Sequence, residues 1–341
     1  MRPDASPRLD HALADLLPGT GLRGRRRLVQ EGAVLVNGRP RPPGYRMAPG
    51  DEITIVPRAP VQAPAASVVH RTGDYVFLAK PAGLHTVRLE GGGAPNLEES
   101  LAALCPELPR PPRLLQRLDF ETSGLVCAAT SEAAVDVFKK EERQGRCVKG
   151  YVALLSGRLE APATAKAALK TANRRKTRIL DLEAPPLRWT KFTPLAVLGS
   201  RETASLLGES ASQDPGAAPE DGVATLALCT LLCGARHQVR IHAASLGHPL
   251  LGDPLYGPGP TDGPAGYPAD RPDAATGRPS AHLLHQAFVA FPQAACVLSP
   301  PWPLPASAMA RMEGFLDIAP SWDILAAFAP ATPEGVKCSR R

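Results

Sequence analysis

The sequence predicts an α+β fold, and three observations support that prediction. Apolar residues make up 44% of the 341-residue chain, which is near the value for globular proteins. Segments of alternating hydrophobicity, typical of strands, outnumber the segments with helical spacing. The helical segments occur at irregular intervals, without a strict repeat of strand and helix. This order favours a central mixed, mainly antiparallel sheet over a doubly wound parallel sheet.

The N-terminal residues predict a small α/β domain. Four leucines between residues 9 and 17 recur at helical spacing, and a second helix is expected over 25–31. Residues 33–36 resemble a strand and lead into Asn37-Gly38, a pair typical of tight hairpin turns. A further strand is expected over 52–56. The predicted order is therefore helix, helix, hairpin, strand.

The larger part of the chain supplies the strands of the predicted central sheet. They are expected over 75–79, 125–129, 150–155 and 224–232. Helices are expected over 131–143 and 237–246. Ser131 is the expected N-cap of the first, with Ala133, Ala134, Val137 and Phe138 on one face.

Stretches rich in proline, glycine, serine and alanine mark the domain boundaries. We expect a small domain over 1–58, a linker over 59–69, a larger domain over 70–328 and a tail over 329–341. Insertions into the larger domain are expected at about 200–222 and 258–280.

Several classes of protein are disfavoured by composition. The N-terminus lacks the apolar segment of a secretory signal, and the longest uncharged stretch, 281–310, contains five prolines that would break a membrane helix. The seven cysteines are scattered and form no CxxC pair. Free thiols in a reducing cytoplasm are therefore expected, rather than disulfides or a zinc site.

The positive charge is concentrated in two places. The net charge of the whole chain is +6, but residues 1–58 carry ten arginines against six acidic residues. Residues 139–191 carry fourteen basic residues against five acidic ones, including a basic loop over 170–178. Solvated loops would explain such charges, and so would contact with the phosphates of a nucleic acid.

An acidic residue adjoins a turn in the segment 114–130. Asp119 precedes Thr122-Ser123-Gly124, which leads into the strand expected over 125–129. Taken alone, a carboxylate at such a place is more typical of a turn or a cap than of a catalytic site. Its neighbours in sequence decide between these interpretations.

Four motifs resemble those of the RluA family of RNA pseudouridine synthases. They are Arg117-Leu118-Asp119 with Thr122-Ser123-Gly124-Leu125, Lys80-Pro81-Ala82-Gly83-Leu84, Lys149-Gly150-Tyr151, and CGARHQVRIHAASLGHPLLGDPLYG over 233–257. The resemblance covers about 74–305. Departures from the family pattern are Gln116, Cys233 and Ala235-Arg236, and they bear on substrate positioning. Residues 8–56 separately resemble the RNA-binding module named after the ribosomal protein S-four.

The resemblance implies a role for each matching residue. Asp119 matches the nucleophilic aspartate of the family, Tyr151 the tyrosine that stacks on the target uracil, and Arg240 the arginine that pairs with the aspartate. RNA contacts are expected from Arg117, Lys149, Arg236, His237 and Gln238, from Arg174, Arg175 and Lys176 in the basic loop, and from Arg23, Arg25, Arg26 and Arg27 in the small domain.

The implied reaction needs no cofactor and no metal. The C1′–N1 bond of a uridine breaks, the base turns, and C1′ joins C5, so no atoms are gained or lost. A carboxylate is suited to this chemistry as a nucleophile, and the sequence leaves open whether it attacks C1′ or C6. The spacing of His237 and His242 does not suit a metal site. Gly252-Asp253-Pro254 is interpreted as a structural turn.

The expected function is that of an RNA pseudouridine synthase, with large-subunit ribosomal RNA as the first candidate substrate and transfer RNA as another. The alternative is a non-catalytic RNA-binding or ribosome-assembly protein on the same scaffold. Retention of Asp119, Tyr151 and Arg240 argues against the alternative. A cytoplasmic monomer that does not bind a membrane is expected.

Overall fold

A computed structural model describes residues 6–30, 32–56, 65–89, 94–171, 176–207, 223–257, 282–305 and residue 308. The described residues form two compact units, one in the first 63 residues and one from residue 64 onward. The proposed linker falls mostly outside the described residues. The proposed insertion over 258–280 and the tail do so entirely.

The N-terminal unit combines two helices with a three-stranded antiparallel sheet. Its elements are α1 (Leu9–Leu16), α2 (Leu22–Gln30), β1 (Val34–Val36), β2 (Arg39–Pro40) and β3 (Ile53–Ile55), with sheet order β2-β1-β3. Asn37 and Gly38 have φ values of 51° and 73°, which the tight turn between β1 and β2 requires. The core contains Leu9, Leu13, Val29, Val34, Val36 and Met47.

Arginine side chains connect the two helices of this unit. The buried Asp10 carboxylate accepts a hydrogen bond from Arg26 Nε at 2.6 Å, and Arg25 Nε donates to the Asp10 carbonyl at 3.0 Å. Burial alone would raise the pKa of Asp10, but hydrogen bonds from Arg26 and Arg8 outweigh it and lower that pKa. Arg25 and Arg26 were expected to contact RNA, and in the structure both also stabilise the packing of α1 on α2.

The larger unit is built around one ten-stranded sheet. Its elements are β4 (Ser67–Thr72), β5 (Tyr75–Lys80), α3 (Leu97–Leu104), β6 (Arg113–Leu114), β7 (Ser123–Ala129), α4 (Glu132–Arg143), β8 (Val148–Ser156), β9 (Ala163–Ala165), β10 (Ala167–Lys170), β11 (Arg178–Glu183), β12 (Thr190–Leu198), α5 (Ser200–Leu207), β13 (Ala224–Leu231), α6 (Gln238–Ser245), β14 (Leu284–Phe291) and β15 (Ala294–Val297).

The sheet confirms the predicted mixed, mainly antiparallel topology. Its strand order is β4-β5-β7-β14-β8-β13-β12-β9, with β15 paired to β14 and β6 to β7. Strands β7 and β14 run parallel, and the other pairs among the described strands are antiparallel. Strands β10 and β11 form a separate two-stranded hairpin, and the basic loop expected over 170–178 is described at 170–171 and 176–178.

The central strands are buried on both faces. Every residue of β7, β13 and β14 is buried, which is why these strands are hydrophobic along almost their whole length. One face carries Val126, Tyr151 and Leu284 in a single apolar cluster. Helix α4 covers part of another cluster, in which Phe138 meets Phe291 edge to face at 5.1 Å between ring centroids.

Two local predictions were wrong. The buried residues of α4 are Ala134, Val135, Phe138 and Glu141, whereas Ala133 is exposed. The N-cap Ser131 is confirmed, since its hydroxyl accepts a hydrogen bond from the Ala134 N–H. Residues 200–207, expected to belong to an irregular insertion, form α5, and the Glu202 carboxylate accepts the Gly199 N–H at 3.0 Å. This back-bond from the first turn is a known helix-starting contact.

At Gly124, strand β7 lies so close to the parallel strand β14 that there is no room for a side chain. Its φ is +120°, and a Cβ atom there would lie 2.4 Å from both the backbone nitrogen and the carbonyl oxygen of Gln286. Any side chain therefore meets immobile backbone in a conformation that L residues rarely adopt.

We predict that Gly124→Ala lowers the free energy of unfolding by about 3 kcal/mol or more, because strain and overpacking act together. Urea denaturation measures the change. The control is Gly234→Ala, where the new Cβ would lie in ordinary contact, 3.5 Å from Leu231. Equal stability of the two variants would contradict the close approach of β7 and β14.

Candidate active site

Asp119 lies on the loop between β6 and β7, and its side chain is 22% exposed. The loop turns back at once, since the Thr122 N–H donates to the Asp119 carbonyl at 3.2 Å. On the preceding residue, the Leu118 carbonyl accepts from the Thr86 hydroxyl at 2.7 Å, and the Leu118 N–H donates to that hydroxyl at 3.0 Å. One buried threonine thus fixes the backbone next to the carboxylate.

The residue after Asp119 is fixed from the turn that follows β5. The Phe120 carbonyl accepts from the Gly83 N–H at 2.9 Å and from Lys80 Nζ at 3.3 Å. Lys80 also donates to the carbonyls of Pro81 and Leu84, both at 2.8 Å. Burial lowers the pKa of Lys80 to about 7, and the charge of Asp119 opposes that shift. The lysine therefore joins the two loops.

Two histidines hold the turn on the other side of Asp119. The Ser123 hydroxyl lies 2.9 Å from His285 Nδ1, and the Thr122 hydroxyl lies 3.3 Å from His282 Nε2. His285 Nε2 is 3.1 Å from the Leu298 carbonyl, which can only accept. Nε2 therefore carries the proton and Nδ1 accepts from Ser123. Burial lowers the pKa of His285 to about 4, so this ring is neutral near pH 7.

Arg240, on helix α6, connects the Asp119 loop to a second carboxylate. Its Nε and Nη2 each donate to Asp253 at 2.7 Å, and its Nη1 lies 3.4 Å from Asp119 Oδ2. The Asp253 side chain is completely buried. Burial alone would raise the pKa of Asp253, but the hydrogen bonds and charge of Arg240 outweigh it and lower that pKa. Both members of the pair are therefore charged.

The Asp253 carboxylate also shapes its own turn. Its Oδ1 accepts from the N–H groups of Leu255 at 2.9 Å and Tyr256 at 3.1 Å. The ring of Tyr256 in turn lies 5.4 Å from the guanidinium carbon of Arg240. The segment over 252–257 was interpreted as a structural turn. In the structure it also presents the carboxylate that orients Arg240 and an aromatic ring beneath it.

His237 completes the polar surroundings of Asp119. Its Nε2 is 3.8 Å from Asp119 Oδ1, and its Nδ1 is 3.0 Å from the Tyr256 hydroxyl. The residue is the N-cap of α6 and adopts the left-handed conformation, with φ +58°. Burial lowers the pKa of His237, against the opposing charge of Asp119. The Tyr256 hydroxyl also accepts a hydrogen bond from the Thr177 N–H at 2.8 Å. This contact connects the residue just before β11 to His237 and Asp119.

Tyr151 lies on β8, on the face of the sheet that carries the apolar cluster of Val126 and Leu284. Its side chain is 9% exposed. Burial raises the pKa of Tyr151, and the negative charge of Asp119 raises it further. The phenol is therefore neutral at any physiological pH.

Two residues expected to contact RNA are engaged inside the protein instead, which corrects that expectation. Lys149 is buried and its Nζ pairs with Glu142 at 2.5 Å. Gln238 is buried, donates to the Arg188 carbonyl at 2.8 Å, and accepts the Ala235 N–H at 2.9 Å. Their positions in the motifs reflect the folding of β8 and α6, because their donors and acceptors face the interior.

The remaining expected RNA contacts divide into exposed residues and residues outside the description. Arg117 is exposed two residues before Asp119. Arg236 is exposed and donates to the Thr171 carbonyl at 3.4 Å, and the Lys176 ammonium lies 5.1 Å from the centre of the Tyr256 ring. Arg174 and Arg175, and the side chains of Arg23 and Arg27, lie outside the described residues.

Sequence reasoning missed the support of the site: Lys80, Thr86, Asp253, Tyr256 and His285. Lys80 lies in the KPAGL motif, and Asp253 and Tyr256 lie in the GDPLYG segment, but neither pattern indicated that these side chains support the site. Within the described ranges, no group of three or more His, Cys, Asp or Glu side chains has the geometry to hold a metal ion. In that same part of the chain, no helix has the length and apolar character needed to cross a membrane. The six cysteines that the structure describes are free thiols.

Comparison with known proteins identifies both units. The sequence model of the RNA pseudouridylate synthase family matches residues 74–245, and that of the S4 domain matches residues 7–53. The "Ribosomal large subunit pseudouridine synthase D" of Neisseria meningitidis serogroup B is 29% identical over 264 residues, which cover 74% of this chain and 64% of that protein. This chain therefore spans less than two thirds of that relative.

Two further relatives are similar at the same level. The protein of the same name from Nitrosomonas europaea is 29% identical over 264 residues, 74% of this chain and 70% of its own. The "Ribosomal large subunit pseudouridine synthase C" of Escherichia coli K12 is 27% identical over 271 residues, 74% of this chain and 77% of its own.

Because His285 is buried and neutral, we predict that the protein loses stability in acid. The pKa of His285 is 6.5 unfolded and about 4 folded. Between these two pH values the unfolded chain binds a proton at this residue and the folded protein does not. The free energy of unfolding therefore decreases as the pH falls from 6.5 towards 4. The loss from this one group is about 3 kcal/mol, at about 1.4 kcal/mol per pKa unit.

Urea denaturation between pH 7 and pH 4 measures this loss. Wild-type protein should lose stability over that window more steeply than His285→Asn, and the control His70→Asn, which changes an exposed histidine of β4, should follow the wild type. Parallel curves for wild type and His285→Asn would show that the ring is not held neutral.

Proposed function

Because this chain belongs to the RNA pseudouridylate synthase family, we propose that it isomerises specific uridines of large-subunit ribosomal RNA to pseudouridine. The observation that carries the proposal is a partly exposed carboxylate, Asp119, held 3.4 Å from a guanidinium that is itself fixed by the buried Asp253. The names of the relatives support ribosomal RNA as the substrate. The S4 domain supports RNA binding by the N-terminal unit.

In the proposed reaction Asp119 is the nucleophile, and its target is either C1′ of the ribose or C6 of the uracil. The C1′–N1 bond breaks, a C1′–C5 bond forms after the base has turned, and the bond that Asp119 formed breaks again, which restores the free carboxylate. C5 loses its proton and N1 gains one, so the product has the same atoms as the substrate. The nucleophile is the carboxylate form of Asp119, and the Arg240 guanidinium is its positive partner at 3.4 Å.

Tyr151 and Arg240 have distinct proposed roles. The neutral ring of Tyr151 offers the uracil a face on which it can rotate without breaking a directional contact. Arg240 keeps Asp119 in place while the base is detached, because two of its nitrogens are already held by Asp253. The target base has to leave its helix to reach these groups, as in other enzymes that act on a flipped base.

The RNA backbone is proposed to contact basic side chains of both units. In the larger unit they are the exposed Arg117, Arg236 and Lys176, together with Arg174 and Arg175. In the S4 domain they are Arg23, Arg25, Arg26 and Arg27. His237 is proposed to contact the target nucleotide, because its ring lies beside Asp119. Phosphate contacts of this kind make binding weaken steeply with salt.

The proposed enzyme uses neither a metal nor a cofactor, since the reaction balances without one. It is proposed to act as a cytoplasmic monomer. The competing function is RNA binding without catalysis, as in ribosome assembly, and the competing substrate is transfer RNA. Both are outcomes of the experiment below.

We predict that wild-type protein releases tritium from RNA labelled at C5 of uridine, because C5 loses its proton in the reaction, and that Asp119→Asn releases none above background. The assay uses ribosomal RNA transcripts and transfer RNA in parallel. The control Glu132→Gln changes an exposed carboxylate that pairs with Arg113, and it should retain full activity.

Three results would contradict parts of the proposal. Equal release by wild type and Asp119→Asn would remove the catalytic role of the carboxylate. Tritium release from transfer RNA alone would make transfer RNA the substrate in place of ribosomal RNA. RNA binding without release from either RNA would favour the non-catalytic function.

A further inference from the structure

We propose that Phe120 and His85 form a stacking platform for an RNA base that neighbours the target uridine. We use "stacking platform" for the two rings of these residues. The inference rests on the proposed function, because it assumes that the chain binds RNA at Asp119. It adds a second nucleotide to the site and two residues that the sequence motifs did not indicate.

The ring of Phe120, the residue after Asp119, packs against the ring of His85. Phe120 follows Asp119 directly and is 45% exposed, although it is a large apolar residue. The ring of His85 lies 4.4 Å from it between centroids, at an interplanar angle of 35°. Because Phe120 is the chain neighbour of Asp119, a base stacked on these rings would lie near the carboxylate that is proposed to act on the target.

Isolated exposed apolar residues are common on protein surfaces and need no explanation. Phe120 differs in two respects from the other large apolar residues that are exposed in the described part of the chain. It has an aromatic partner, and it is the immediate neighbour of the proposed nucleophile. Leu182 is more exposed but is aliphatic and lies on the β10–β11 hairpin. Aromatic faces are the surfaces on which unpaired RNA bases stack.

The platform stands on fixed backbone. The Phe120 carbonyl is held by the Gly83 N–H and by Lys80 Nζ. The His85 carbonyl accepts the Leu97 N–H at 2.8 Å, and His85 forms a parallel bridge with Asn96. Little backbone freedom remains to be lost when a base stacks on these rings, which favours binding.

The charge around the platform favours a nucleotide over an apolar protein surface. Arg117 is exposed and lies three residues before Phe120. Both residues belong to the loop between β6 and β7, and a guanidinium and an aromatic ring on one loop suit a ligand that has both a phosphate and a base. Stacking is tolerant of base identity, so the platform should position the RNA strand without specifying the neighbouring base.

The test compares Phe120→Ala, His85→Ala and Phe120→Trp on a ribosomal RNA transcript that the wild type modifies. We expect the KM of Phe120→Ala for the transcript to rise about tenfold or more, in line with the loss of one stacked base. Its kcat should change little, and Phe120→Trp should stay near wild type because it retains a ring. His85→Ala should raise KM less. The control Val297→Ala removes an apolar residue that is 44% exposed on β15, and should change nothing.

A fluorescence measurement separates this inference from the proposed function. The transcript carries 2-aminopurine beside the target position, and quenching on binding reports stacking whether or not catalysis occurs. Wild type and Phe120→Trp should quench, and Phe120→Ala should not. Quenching by Phe120→Ala equal to wild type, with unchanged KM, would overturn the platform even if tritium release is normal. A wild-type dimer that Phe120→Ala dissociates would assign the surface to a second copy of the chain and overturn it as well.

Discussion

The geometry around Asp119 depends on a buried ion pair. The Asp253 side chain has no exposed surface and accepts hydrogen bonds from two nitrogens of Arg240 in a bidentate contact at 2.7 Å each. Such a pair is costly to bury, and its value lies in orientation more than in stability. With two of its three nitrogens held by Asp253, the guanidinium directs its Nη1 at Asp119. The pair therefore decides where the Asp119 carboxylate finds its positive partner, before any substrate arrives.

The rest of the site supports this arrangement from the backbone. Lys80, Gly83 and Thr86 fix the residues on either side of Asp119, while His285 holds the turn that follows it. These contacts come from β5, the loop after it, and β14, so the two strands that flank β7 converge on one loop. The close approach at Gly124 allows β14 to do so. Such pre-organisation suits the nucleophilic role that we propose for Asp119.

The sequence predicted the sheet type, most element positions and the pairing of Arg240 with Asp119, because alternation and short motifs are local properties. The partners across the fold were not predictable in the same way. Asp253 lies in a segment whose glycines and proline indicate a turn, and nothing local shows that its carboxylate meets Arg240. Lys149 and Gln238 illustrate the reverse, since motif residues were expected at the RNA and are used inside the protein. Helix α5 was missed because its first residues resemble the loop that follows.

The most direct test of this account is a double-mutant cycle on kcat with Asp253→Asn and Arg240→Lys. Lysine keeps the charge of Arg240 but cannot hold two partners in a fork. If Asp253 acts by orienting Arg240, the double variant should be no slower than the slower single variant. If the two losses multiply, each residue acts independently, and the ion pair is not the constraint on which the site depends.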